Sequence, residues 1–377
     1  MPDAAPDAAP EAAPAPAGRS LWQDAWARLR RNRAAVASAA ALLILALVGG
    51  LGPLVWPHPY DRVYGAFVRV PAGFAAHPAP EAAQPAFARA LARTRLDHGP
   101  VTQEGRALRV SLRGDKPIDP RILRIFQRSD LFTDPALTLA DDGLSGELTV
   151  TVARLYFVFG TDALGRDVAA RIMVGVRISL AIGVLASAMA LLLGVGYGAI
   201  SGYVGGRVDN VMMRIVDILY SLPFIFFVIL LVVFFGRSIF IIFIAIGATE
   251  WLDMARIVRG QTLSLKRQEF VQAAEALGAT RAGVLRRHII PNTLGQVVVF
   301  VTLLVPKAIL LESLLSFLGL GVQEPLTSLG LLISEGASNM RGASWLLIWP
   351  ALTLTLILFA LNFLGDGLRD SLDPKDR

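Results

Sequence analysis

Six apolar runs punctuate this chain: Ala34 to Val55, Arg177 to Tyr203, Val211 to Phe235, Ser238 to Leu252, Leu294 to Leu320 and Trp345 to Leu364. A helix needs about 20 apolar residues to cross some 30 Å of hydrocarbon, so five of the runs predict transmembrane helices directly. Ser238 to Leu252 is short enough to be re-entrant instead. The basic residues favour a crossing there. With it, the loop carrying Arg256, Arg259, Lys266, Arg267, Arg281, Arg286 and Arg287 falls on the same side as Arg207, Arg214, Arg369 and Lys375. The short loops opposite keep Arg237 and Arg341. Cytoplasmic loops are enriched in Lys and Arg, so the pattern predicts six transmembrane helices with both termini in the cytoplasm. Arg28, Arg30, Arg31 and Arg33, in a basic amphipathic stretch that starts at Trp22, agree with that orientation. Pro53 and Pro57 mark the far end of the first run.

Between the first two runs, residues 57–160 are polar and of domain size, which predicts an extracytoplasmic insertion. Ala86 to Thr94 and Arg121 to Phe132 have helical apolar spacing. Leu108/Val110/Leu112 and Leu148/Val150/Val152 alternate as strands do, and Asp142-Gly143 is a turn signal between Leu137-Thr-Leu139 and the last of these. A small α+β unit is expected. It reads either as a contact for a substrate-delivery protein or as a decoration, since no motif in it carries chemistry. Met1 to Ala17 is an Ala/Pro repeat that cannot bury enough apolar area to fold, so 1–20 is expected to be a disordered tail. It lacks the layout of a cleavable signal peptide. Residues 21–56 then hold the amphipathic stretch and first transmembrane helix, and 161–377 an all-α, five-helix core.

Composition agrees. With 54% hydrophobic and 18% charged residues over 377 positions, the chain is too apolar for an ordinary soluble protein. The net charge of +6 would suit nucleic acid, but its position beside apolar runs is better explained by membrane orientation. There is no cysteine, and none of the four histidines pairs at a zinc-ligand spacing, so thiol chemistry and zinc are not expected. No Gly-x-x-x-x-Gly-Lys-Ser/Thr loop is present to hold nucleotide. No serine/histidine, paired-aspartate or His-Glu-x-x-His constellation lies in the apolar runs, which argues against an intramembrane enzyme. Nor is there the inverted duplication of broken spans that many secondary transporters show, although a secondary transporter or channel acting without an ATPase remains the alternative.

One polar segment stands out. Glu269 to Leu277 is composed of helix-compatible residues, Gly278 stands where a left-handed residue would stop the helix, and Thr280 can cap a second helix from Arg281 to Ile289 that Pro291 ends or follows. A helix, a sharp glycine turn and a basic helix make a rigid cytoplasmic knob, suited to receive force from another protein.

The knob resembles the coupling loop of ABC importer permeases, a Glu-Ala-Ala, Gly, Ile-x-Leu-Pro pattern that here reads Gln272-Ala273-Ala274, Gly278 and His288-Ile289-Ile290-Pro291. The Ala pair, Gly and Pro match; Gln272, His288 and Ile290 depart. Phe159-Gly-Thr-Asp-Ala-Leu-Gly-Arg-Asp-Val168, Glu312-Ser-Leu-Leu-Ser-Phe-Leu-Gly-Leu-Gly321 and Gly365-Asp-Gly-Leu-Arg-Asp-Ser-Leu-Asp-Pro374 resemble blocks of the C-type permease subunit of oligopeptide and dipeptide importers. The long insertion is similar to the branch with an enlarged extracytoplasmic segment. Ser328-Leu329-Gly330 departs from a pattern with a central tryptophan.

The resemblance implies a type I ABC importer transmembrane fold in the inner membrane. It implies partnership with a B-type permease, two ATPase subunits that hold ATP and Mg, and an extracytoplasmic peptide-binding protein. No cofactor is expected in this chain, and nickel or opine-like substrates stay open beside peptides. The loop around 266–292, with Gln272, Ala273, Ala274, Gly278, Arg286, Arg287 and Pro291, would couple to the ATPases. Charges at membrane depth are expensive, so Lys307 and Glu312 in the fifth run need a reason. Glu312 and its neighbour Ser313 are expected on the translocation path or the partner interface, or else in a structural hydrogen bond. Arg214 and Asp217 are expected to pair. Asp162, Arg166 and Asp167 are expected on a short surface helix capped by Thr161 or Asp162, at the outer gate or binding-protein contact, or as local caps and salt bridges.

Overall fold

The computed structural model describes residues 21–372; the expected 1–20 tail and the terminal residues 373–377, Lys375 among them, lie outside this range. The chain opens with α1 (Leu21–Arg31) and α2 (Arg33–Val55). Asn32 separates them, its side chain accepting the Ala35 N–H at 3.2 Å and so capping α2.

The insertion folds as expected into a small α+β unit. Its elements are β1 (Ala76–His77), α3 (Pro80–Ala92), β2 (Asp97–His98), β3 (Thr102–Glu104), β4 (Ala107–Arg113), α4 (Leu123–Gln127), β5 (Phe132–Leu139), β6 (Ser145–Val152) and β7 (Leu155–Tyr156). The antiparallel sheet runs β2-β4-β6-β5, with β3 also on β4; β1 and β7 form a separate pair. The alternation of apolar residues does what its period requires. Leu108, Val110, Leu112, Leu148 and Val150 share one buried face with Phe87, Leu91, Phe126 and Phe132. At the β5–β6 turn the Asp142 carboxylate accepts the N–H groups of Leu144 at 2.9 Å and Ser145 at 3.1 Å, which holds it below the usual carboxylate range. Gly143 there takes φ +63°.

The remaining helices are α5 (Val168–Val204), α6 (Gly206–Tyr220), α7 (Phe224–Phe235), α8 (Ile239–Leu265), α9 (Glu269–Ala276), α10 (Arg281–Val284), α11 (Ile290–Phe317), α12 (Leu329–Ser338) and α13 (Trp345–Leu372). Among the described residues, α2, α5, the run Arg281–Phe317 and α13 are long and apolar enough to cross a membrane. The third apolar run is not one straight helix: α6 and α7 meet at 83° and count as a fifth span only together. The break falls at Leu222-Pro223, where proline disfavours helical backbone in the residue before it.

The doubtful fourth run proves to be the first half of α8. This helix has 27 residues, about 40 Å at 1.5 Å per residue, and it extends well beyond Leu252 through Asp253, Arg256 and Arg259. An apolar count undervalues it because its charges find partners on neighbouring helices, described below.

The closest helix pair in the core is α5 with α8. Gly194, Gly198 and Gly202 recur every four residues along α5, so they share one face. A Cβ at Gly202 would come 2.8 Å from the Arg259 carbonyl oxygen, and one at Gly198 would collide with that of Ala255. Small residues let two backbones approach where lipid supplies no hydrophobic driving force between helices. Gly198→Ala should therefore cost about 1–3 kcal/mol, since the obstacle is backbone and cannot swing away. Gly196→Ala, which meets nothing within 4 Å, should be tolerated. Thermal unfolding of the two variants in detergent checks the contrast; equal melting temperatures would contradict it.

Candidate functional site: coupling knob and outer clamp

At the end of the molecule where α5 and α8 finish, α9 and α10 form the knob. The C-terminus of α9 closes with two reversed hydrogen bonds: Ala279 N–H to the Ala274 carbonyl and Gly278 N–H to the Glu275 carbonyl, both at 3.0 Å. This is a full Schellman stop, and Gly278 occupies its left-handed position at φ +84°. Thr280 then caps α10, accepting the Gly283 N–H at 3.1 Å. Of its two expected roles, Pro291 takes the second: it follows Arg281–Ile289 and does not break the chain's helical course. Leu285–Ile289 opens into a π turn that runs straight into α11, with Pro291 in its first turn. A widened turn accommodates a proline that can neither donate its N–H nor sit beside the carbonyl four residues back.

The knob is fastened by one face. Val271, Val284 and Ile289 are fully buried against Tyr203 at the end of α5. The Tyr203 hydroxyl donates to Glu275 at 2.7 Å, and Lys266 Nζ donates to the Tyr203 carbonyl at 2.6 Å. The other face is open: Gln272, Ala273, Leu277, Gly278, Arg286, Arg287 and Pro291 are exposed and Ala274 is half-buried. Gln272 donates to the Arg267 carbonyl at 3.4 Å. Neither Arg286 nor Arg287 enters an ion pair among the described residues.

Behind the knob α8 is braced to α6. Arg259 grips Asp209 through two hydrogen bonds of 2.6 Å, and Ser201 donates to the same carboxylate. Asp217 pairs with Arg256 at 2.8 Å rather than with Arg214 as expected, and the Arg256 guanidinium also lies 4.3 Å from the Tyr220 ring centroid. Three-residue spacing permits a local pair but does not compel one. Here a partner from another helix arrived with better geometry, which no local pattern could reveal.

At the opposite end, Asp162, Arg166 and Asp167 are not on a surface helix. Residues Thr161 to Asp167 form a buttoned loop, and all three charged residues are buried. Asp162 Oδ1 accepts the N–H groups of Leu164 and Arg166, while Oδ2 accepts from Arg166 Nε and Arg171 Nη1, each at 2.7 Å. Arg171, 2% exposed, holds Glu335 of α12 in a two-pronged pair of 2.6 and 3.0 Å. Arg166 reaches Glu324 at 2.8 Å. Burial alone would pull the Arg166 guanidinium down, and its bonds to Glu324 and Asp162 outweigh that, leaving it above its ordinary value. A cavity of about 210 Å³ opens between these groups and Asn339.

Asp167 is the cap. Its Oδ1 accepts the Ala169 and Ala170 N–H groups at the start of α5, and its Oδ2 accepts Trp56 Nε1 at 3.0 Å with His58 Nδ1 2.6 Å away. This cap explains why α5 begins nine residues before the apolar run does. The same loop ties in the insertion, since Thr161 donates to the Phe67 carbonyl and accepts the Val70 N–H at 2.8 Å. Buried this deeply, the three residues form a clamp within the chain.

Glu312 is also interior, 0% exposed. Ser316 donates to it at 2.6 Å and Ser179 at 3.3 Å, and Ser179 accepts the Leu329 N–H at 3.2 Å, so α5, α11 and α12 meet here. Ser313 is half-buried, and its Oγ has no hydrogen-bond partner. At Gly330 a Cβ would run into the backbone of Ser313.

These features define a multi-pass membrane protein with a compact helix-glycine-helix knob at one end and a charge clamp at the other. Residues 194–377 match the family described as the binding-protein-dependent transport system inner membrane component, and residues 20–72 match the N-terminal transmembrane domain of oligopeptide transport permease C. The chain is 45% identical over 361 residues to the oligopeptide transport system permease protein OppC of Escherichia coli K12, covering 96% of this chain and 93% of that protein. It is 60% identical over 222 residues to OppC of Haemophilus influenzae, covering 59% of this chain and 71% of that one. The dipeptide transport system permease protein DppC of Bacillus subtilis is 49% identical over 220 residues, 58% of this chain and 69% of the relative. An inward-facing MetNI methionine ABC transporter chain shows a partial likeness, with TM-score 0.46, 17% identity and coverage of 53% of this chain and 94% of that one. The chain belongs to the family of binding-protein-dependent inner-membrane transport components, and it is a C-type permease with the type I ABC importer fold. The family is one of transport permeases.

Arg171→Met should remove the closer of the two cations that Asp162 and Glu335 share, leaving Arg166 at 2.7 Å from the one and 4.0 Å from the other. Breaking a buried pair from one side costs about 3–5 kcal/mol, and the partial exposure of Glu335 points to the lower end. Unfolding in detergent reads the loss; a variant as stable as the parent would show that the clamp carries no load.

Proposed function

We propose that this chain is the permease subunit that forms half the translocation path of an ATP-driven importer of oligopeptides or dipeptides. The peptide reading rests on relatives named for oligopeptide and dipeptide transport. Its companions would be a B-type permease, two ATPase subunits binding ATP and Mg, and a binding protein that delivers the peptide. The knob end lies in the cytoplasm with both termini, as the basic residues of α1 and of the α8–α10 region favour. The clamp and the insertion then lie outside.

The observation that carries the coupling reading is the knob itself. Gly278 and the Schellman stop fix its shape, Tyr203 and Lys266 bolt it to the ends of α5 and α8, and its outer face is left uncovered. Force on Gln272, Ala273, Ala274, Gly278, Arg286, Arg287 or Pro291 reaches two membrane helices whose backbones touch. Closure of the ATPases would bias a two-state arrangement of these helices, with the loaded binding protein biasing it from the other side. Arg286 and Arg287, unpaired within the described chain, would meet acidic groups of the ATPase. A secondary transporter or channel acting alone has no use for such a knob, and membership of the binding-protein-dependent family also favours the ATP-driven reading.

Gly278→Val tests this. Nothing lies within 4 Å of a Cβ there, so the substitution acts only through the left-handed backbone. That strain is worth about 1–2 kcal/mol, or roughly tenfold in an equilibrium. In the reconstituted complex the variant should assemble yet lose about tenfold in peptide uptake per ATP hydrolysed. Unchanged uptake and unchanged stimulation by the loaded binding protein would refute the coupling role.

A further inference from the structure

Lys307 has found an account the apolar pattern did not offer. Its Nζ lies 2.8 Å from Glu250 Oε2 and 3.2 Å from Asp253 Oδ2, both on α8. Glu250 is 11 residues from the start of α8 and Lys307 is 10 residues from the end of α11, so in antiparallel helices they sit about 15–17 Å below the outer helix ends. That is membrane depth. Two acids and one base leave the cluster with one excess negative charge.

The cluster is not sealed. The Glu250 side chain is 6% exposed, but those of Asp253 and Lys307 are 27% and 50% exposed. Lys307 stands in an open stripe of α11 with Leu303, Leu310, Leu314 and Phe317, which are 37–53% exposed. These positions recur at helical spacing, so they form one face with a single charge in it. Lipid cannot cover that charge cheaply, and ionisable residues at such depth face a bundle interior or water.

We propose that Glu250, Asp253 and Lys307 form a charge-selective subsite on the translocation path, which takes the cationic groups of a passing peptide, its α-ammonium or a Lys or Arg side chain. This rests on the peptide-import reading above. Asp253 is the acceptor, since it is the accessible acid. Glu250 holds Lys307 in place from the buried side, and Lys307 keeps the excess charge to one, so a cation is attracted without being trapped.

The test uses the reconstituted complex with its binding protein and three peptides, Ala-Lys-Ala, Ala-Ala-Ala and Ala-Glu-Ala. Uptake of each is normalised to its affinity for the binding protein. The parent complex should favour the lysine peptide over the glutamate one. Asp253→Asn removes the excess charge and should lower that ratio up to about fivefold, while Lys307→Met doubles the excess and should raise it by a similar factor. A merely structural role would depress all three peptides together and leave the ratio alone, which would overturn the proposal. Loss of the second permease from either purified variant would overturn it too, by making the stripe a subunit interface. If the parent complex imports none of the three peptides while its binding protein holds them, the peptide reading itself fails and takes the subsite with it.

Discussion

The backbone contact between α5 and α8 is the constraint on which the rest depends. Three glycines at four-residue intervals bring two helices of 37 and 27 residues together so closely that a methyl group could not enter. Packed interiors are stiff and resist graded deformation, so a pair joined in this way moves as one body. Both ends of that body are specialised. Tyr203 and Lys266, at the last turns of the two helices, hold the knob. Asp167 and Arg171, at the start of α5, hold the clamp at the other end.

Apart from Glu312, which is bonded to serines, the buried charges in this apolar chain follow one rule: each is matched by a partner on another element. Arg259 meets Asp209, Arg171 meets Asp162 and Glu335, and Lys307 meets Glu250 and Asp253. Pairs of this kind add little net stability against an apolar alternative, because desolvation opposes attraction. Their effect is on arrangement, since an ion left alone in the core is far worse than a matched one. They therefore select which helix lies beside which. The clamp extends this to the insertion, because the loop from Gly160 to Asp167 bonds to Phe67, Val70 and Trp56 and pairs Arg166 with Glu335 of α12. A small sheet domain is thus seated on the membrane core through buried polar contacts.

The elements were largely readable from local pattern. Period-two alternation located β4 and β6, and Asp142-Gly143 located the turn between β5 and β6, because strand faces and tight turns are set by neighbouring residues. The knob was legible for the same reason: the glycine stop and threonine cap are decided within a few residues, and both occur where expected. Reading failed where a distant group took control. Asp217 left Arg214 for Arg256, and the Asp162 to Asp167 segment went inside because Arg171 and Glu335 were there to receive it.

The sequence by itself thus determined the number and order of apolar runs, the side of the membrane its basic residues favour, the knob and the family blocks. Each of these follows from composition or from spacing over less than a few turns, where covalent geometry and transfer to lipid dominate. Only the tertiary structure decided that the short fourth run is a full-length helix, that the third is bent, that Glu312 is sealed while Lys307 is open, and that the charged motif ahead of α5 is a clamp. Those outcomes depend on which side chains meet across helices far apart in the chain, and the energy of an ion in an apolar medium is set by its partner.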